Sequence, residues 1–152
     1  MEKSIKEIKI LIGEDFFFDK PSTEGLALLE SETILLRTNT GNILLHELVH
    51  LYFDDERTKP AIIDLFNEMH TEPFNELMKH SDFLEYVKEC FAYYNEEDWE
   101  EEIYAYHLEN FLMDDFNQDS KEAIKYLQYY VFESTGVLTY LFFWDSSLER
   151  LD

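Results

Sequence analysis

The chain is poor in the residues that punctuate or cross-link a fold. It has 1 cysteine, 3 prolines and 4 glycines in 152 residues. One thiol excludes an intramolecular disulfide framework and suits a reducing, cytoplasmic compartment. Cys90, set in an apolar-periodic segment, reads as a small buried hydrophobe. Scarce glycine and proline exclude a flexible linker, so residues 1–152 read as one domain without internal boundaries or repeats. No apolar run reaches the 18 or so residues of a membrane span, and VLTYLFFW near the C-terminus is too short. The acidic N-terminal stretch lacks the apolar core of a signal peptide. Positive charge is also scarce: 12 Lys and Arg stand against 34 Asp and Glu, a net charge of −22. That balance excludes phosphate-based binding of nucleic acid and favours basic partners.

What is present is apolar bulk: 45% hydrophobic residues, with 13 Phe and 10 Tyr, enough to pack a core. Residues 5–12, IKEIKILI, are rich in β-branched side chains and read as a strand, as does TILLRTN at 33–39. NILLHELVHLYF reads as a buried helix capped by Thr40 or Asn42. Pro60 falls in the first turn of a helix that runs through Met69. Further helices are expected from Ser81 to about Tyr94 and from Asn95 to about Asp115. Another begins at the Asp119 and Glu122 capping box and ends near Gly136. Early strands followed by helices give a mostly helical α+β domain.

The stretch His46-Glu47-Leu48-Val49-His50 carries chemistry. On a helix, positions i and i+4 lie about 40° apart around the axis, so both imidazoles can reach one Zn²⁺. Glu47 lies about 100° round from His46, beyond comfortable ligation, but can take a proton from water that zinc acidifies. A surface helix with a chance His-Glu-x-x-His fits poorly, because Leu44, Leu45, Leu48, Val49, Leu51 and Tyr52 are apolar nearly all round. Two buried histidines and a glutamate need partners, and a metal satisfies all three.

A catalytic zinc commonly takes a third protein ligand. Metzincins place theirs ten residues after the first histidine, beyond a glycine that turns the chain; here those positions are Glu56 and Phe53, and Phe53 cannot readily make that turn. Asp54 and Asp55 read as a solvated helix end. The stretch 95–112, NEEDWEEEIYAYHLENFL, offers Glu102, flanked at helical spacing by Trp99, Ala105 and Tyr106, and Glu101, with a similar apolar stripe. Periodicity does not separate these two.

HELVH followed by Glu102, Ala105 and Leu108 resembles the gluzincin metallopeptidases. The likeness is to the catalytic domain of anthrax lethal factor, to the related proline-specific endopeptidases, and to the small cytoplasmic ImmA/IrrE-type peptidases of phage and mobile elements. It spans roughly residues 33–130. It implies a zincin-like fold with a small N-terminal sheet, zinc ligands His46, His50 and Glu102, and Glu47 as general base, with Glu101 the fallback ligand. It also implies a tyrosine seven residues before the glutamate ligand that holds the oxyanion. Asn95 stands there instead, so the role passes to Tyr94, with Tyr93 the alternative. Val49 replaces the family's glycine before the second histidine. His70, His80 and His107 match no family position and read as surface or satisfied core residues. Zincins bind peptide along a sheet edge beside the histidine helix, which assigns that edge to 33–39.

The expectation is therefore a zinc-dependent endopeptidase acting on a peptide or protein substrate, with a preference for Lys or Arg near the cleaved bond. The competing classes are an acidic DNA mimic and an inactive zincin fold that keeps structural zinc.

Overall fold

The computed structural model describes residues 4–69 and 74–145. Among these, four strands form one sheet: β1 (Ser4–Ile12), β2 (Gly25–Leu28), β3 (Thr33–Leu36) and β4 (Val137–Asp145). Its order is β2-β3-β1-β4; β1 runs parallel to both neighbours and β2 is antiparallel to β3. The helices are α1 (Gly41–Asp54), α2 (Lys59–Met69), α3 (Phe74–Leu77), α4 (Ser81–Cys90), α5 (Trp99–Asp115) and α6 (Ser120–Thr135). The architecture is α+β. None of the described helices is long and apolar enough to cross a membrane. Of the three histidines outside the motif, His70 lies outside the described residues. His80 is exposed, and His107 stacks on Phe66 at 6.0 Å.

Alternation in β1 sets the layers. Lys6, Ile8, Ile10 and Ile12 are buried on one face, whereas Ile5, Glu7 and Lys9 face outward. The buried face packs on α1, whose Leu44, Leu45, Leu48, Val49, Leu51 and Tyr52 are all in the core. Helices α2, α5 and α6 complete the layer through Ala61, Ile62, Leu65, Leu108, Leu112, Leu127 and Val131. The α6 cap forms as expected: the Asp119 carboxylate accepts from the Glu122 N–H. Gly136 closes that helix at φ 78°, a left-handed conformation that favours glycine.

Several details differ from the expectations. The strand at 33–39 ends at Leu36, because Arg37 turns to hold the Lys20 and Thr23 carbonyls at 2.7 and 2.9 Å. It lies between β2 and β1, so the edge beside the histidine helix belongs to β2 instead. β4, not foreseen as a strand, gives the sheet a C-terminal member. Thr40 precedes α1 without a side-chain capping bond. Asn95 leads into a one-turn 3₁₀ segment, Glu96–Asp98, before α5 begins at Trp99. Cys90 is exposed: it ends a surface helix whose buried residue is Val87.

Asp55 is not merely solvated. The Lys6 ammonium, aligned with the core isoleucines and 1% exposed, donates to Glu32 and, at 2.9 Å, to Asp55. Asp55 also accepts from the Arg57 side chain and backbone N–H. Burial alone would raise the Asp55 pKa, but its Arg57 and Lys6 bonds hold it well below the usual carboxylate range. This cluster ties β1 and the β2–β3 turn to the C-terminal end of α1.

Removing the cation from such a cluster strands its carboxylates. Lys6→Ala should cost about 3–5 kcal/mol in urea denaturation at pH 7. The Asp55 contribution carries the sign of a depressed carboxylate: complete above its unfolded pKa near 4, lost as pH falls through the folded value. The destabilisation caused by Asp55→Asn should therefore shrink between pH 7 and about pH 2.

Candidate metal centre

α1 carries His46 and His50 on the side that meets α5. Ala105 and Leu108 of α5, one and two turns beyond Glu102, are fully buried in the core that includes α1. The close approach brings Glu102 to α1: its Oε1 lies 3.4 Å from the His50 Nε2. One ligand atom each from His46, His50 and Glu102 lie within 4.8 Å of one another. Glu56 is exposed on the segment after α1 and is not in this group.

Glu101 has a different position. Its Oε2 is 3.1 Å from the His50 Nδ1, on the ring nitrogen turned away from Glu102. His46 is treated alike: its Nδ1 lies 3.0 Å from Glu109 Oε1, and the Asn42 amide donates to the other Glu109 oxygen at 3.4 Å. Each histidine thus has a carboxylate on Nδ1, which leaves both Nε2 atoms for a shared ligand. This is the arrangement in which an outer carboxylate fixes ring orientation and raises basicity at a metal. Glu109 was not singled out from the sequence, although it lies seven residues, two helical turns, beyond Glu102. Asn42, weighed as a cap, serves here instead.

Glu47 is buried against β2 and bonds to the Ala27 backbone. Gly25 permits this proximity: a Cβ there would lie 2.5 Å from Ile43 Cγ2 and 3.3 Å from Glu47 Cγ. Burial raises the Glu47 pKa, and His46 and His50 offset this in part. Glu102 is raised for the same leading reason, again opposed by the two histidines. Burial pulls His50 downward, but the Glu101 bond and the Glu102 and Glu47 charges outweigh it and leave the imidazole above its ordinary value.

Tyr94 sits in the turn between α4 and α5, its N–H bonded to the Phe91 carbonyl at 3.0 Å. The Trp99 indole donates to that same carbonyl, which fixes the turn. The Tyr94 hydroxyl is hydrogen-bonded to Tyr106, and burial with the nearby Glu102 charge pushes its pKa up to about 12. It therefore stays protonated at neutral pH and can donate. Tyr93 is fully exposed and lines neither recess.

Two recesses of about 310 and about 520 Å³ adjoin, and both are lined by Leu26, Glu47, His50, Tyr94 and Glu102. Asp98 and Glu101 line one, Glu24 and Glu109 the other, and neither has a Lys or Arg among its described lining residues. The donor set of two imidazole nitrogens and a carboxylate oxygen suits Zn²⁺. A divalent cation would also compensate carboxylates that burial alone disfavours.

Glu102→Ala should therefore lower zinc affinity most. Glu101→Ala and Glu109→Ala should each lower it by about 10- to 100-fold, read by competition with a chromogenic chelator. Glu56→Ala should leave it unchanged.

No protein-family model, curated protein or solved structure matches this chain.

Proposed function

We propose that the protein is a zinc-dependent endopeptidase of the gluzincin type. The observation that carries this reading is the meeting of His46, His50 and Glu102 beside Glu47 and Tyr94 at two adjoining recesses. A chain-end peptidase needs a wall that blocks one side. Here the recesses adjoin β2 through Gly25, Leu26 and Ala27, which suits an extended peptide lying along that strand.

His46, His50 and Glu102 would hold the ion, with Glu101 and Glu109 orienting the imidazoles. Zinc bound there would supply a Lewis acid that polarises a peptide carbonyl and makes water a better nucleophile. Glu47, its pKa raised by burial, takes the proton from the attacking water and returns it to the departing amine. The Tyr94 hydroxyl donates to the carbonyl oxygen as negative charge develops there. The edge of β2 offers backbone groups to an extended substrate. The acidic walls favour Lys or Arg side chains near the cleaved bond, and the lone thiol suits action in the cytoplasm.

Glu47→Gln separates chemistry from folding. It should retain zinc and thermal stability but abolish cleavage of a peptide library. Equal cleavage by mutant and wild type would remove Glu47 from the mechanism, and no cleavage by either would favour an inactive fold or an acidic mimic. Tyr94→Phe should lower kcat on the order of 10²–10³-fold with KM little changed. Cleavage sites should be enriched in Lys or Arg, and rates should fall with added salt as the field is screened.

A further inference from the structure

Tyr106 has no part in the mechanism above, yet it lies one turn beyond Glu102 on α5 and lines the larger recess with Tyr94, His46 and Glu102. Its ring meets the His46 imidazole edge-on, at 4.6 Å between centroids, and the buried Phe91 ring at 5.5 Å. Its hydroxyl is hydrogen-bonded to that of Tyr94. Phe91 also packs on the Tyr94 ring at 6.0 Å. The two tyrosines thus lean on one aromatic side chain and meet at their tips.

Tyr94 needs such a partner. Its backbone N–H is fixed to the Phe91 carbonyl at 3.0 Å, but its side chain leaves a turn rather than a helix and is 41% exposed. A ring so placed keeps rotamer freedom, and a misplacement of about 1 Å at a reacting group can cost about 10²-fold in rate. Tyr106 supplies the restraint from α5, the helix that also carries Glu102.

We infer that Tyr106 is a positioning residue whose hydroxyl holds the Tyr94 hydroxyl at the recess shared with His46, His50 and Glu102, a role that rests on the endopeptidase reading of this site. A phenol both donates and accepts. Tyr94 has one proton, which can go to Tyr106 or to a substrate carbonyl but not to both. When it turns to the carbonyl, Tyr106 donates its own proton to the Tyr94 oxygen, and the pair stays bonded. Hydroxyls in series strengthen one another, so donation into Tyr94 makes it the better donor. Burial, with the nearby Glu102 charge, raises both pKa values above the ordinary one, so both protons are in place at neutral pH.

Tyr106→Phe, which keeps the ring and deletes the hydroxyl, tests this alongside Tyr94→Phe and the double variant. Tyr106→Phe should lower kcat roughly tenfold with KM unchanged, the size of one hydrogen bond. In the Tyr94→Phe background the same substitution should change kcat by less than about twofold, because its route of action is already gone. Zinc affinity, read by competition with a chromogenic chelator, should equal that of the wild type. The bond also has a readout apart from turnover. In full-length protein carrying carbon-13 at the tyrosine Cζ, Tyr106→Phe should shift the Tyr94 resonance, identified by its loss in Tyr94→Phe. An unchanged kcat, an equal fall in both backgrounds, a loss of zinc affinity or an unmoved Tyr94 resonance would each overturn the inference. If the wild type cleaves no peptide, the endopeptidase reading fails, and the Tyr94 resonance alone decides whether Tyr106 holds that hydroxyl.

Discussion

The contact between α1 and α5 is the constraint on which the site depends. α1 is apolar on almost every side, so burial is its only stable placement, yet it takes two imidazoles and a carboxylate into the core. α5 makes that tolerable. Ala105 lets the two backbones approach, and Glu101, Glu102 and Glu109 meet the ring nitrogens of His50 and His46 at 3.0–3.4 Å. The same helix supplies the close packing and the polar partners. Moving α5 outward by the width of a larger side chain at 105 would lengthen all three contacts together.

That coupling explains why the centre was partly legible in the sequence. His46 and His50 announce themselves by i, i+4 spacing inside an apolar run, and Glu102 is drawn out by its buried neighbours and the family likeness. Separating Glu102 from Glu101 needs rotational phase, and the structure gives them two jobs: Glu102 faces the Nε2 of His50, and Glu101 takes its Nδ1. Glu109 was hidden because a carboxylate two turns along an acidic helix looks like any solvated acid. Tyr94 was reachable only through the family position, since a turn residue has no periodicity to read.

Strand pairing was less legible for a different reason. Hydrophobic alternation identifies β1, yet nothing local states which strand lies beside which. Thr33–Leu36 therefore looked like an edge until Gly25–Leu28, four residues without a strong pattern, paired outside it. VLTYLFFW is apolar in both phases, which neither a helix nor a strand period resolves. Lys6 misleads in the opposite sense. Its place in the alternation is a core position, and only Glu32 and Asp55, distant in sequence, make that position habitable for an ammonium.

The uneven spread of charge links these parts. The net charge of −22 is unevenly spread, and much of the excess falls on α5 and the cleft walls. At the cleft this excess is expensive. Glu47 and Glu102 are raised chiefly by burial, and His50 is held above its ordinary value by three carboxylates. Stability is thereby exchanged for a field that attracts cations, at the one place where α1 and α5 already hold nitrogen and oxygen donors converged. A divalent ion would relieve that strain directly. At the far end of the sheet, β4 exposes Tyr140 and Phe142 in register with the outward-facing Glu7 and Lys9 of β1. One sheet thus has the acidic recesses beside β2 at one end and the aromatic strand β4 at the other, with β3 and β1 between them.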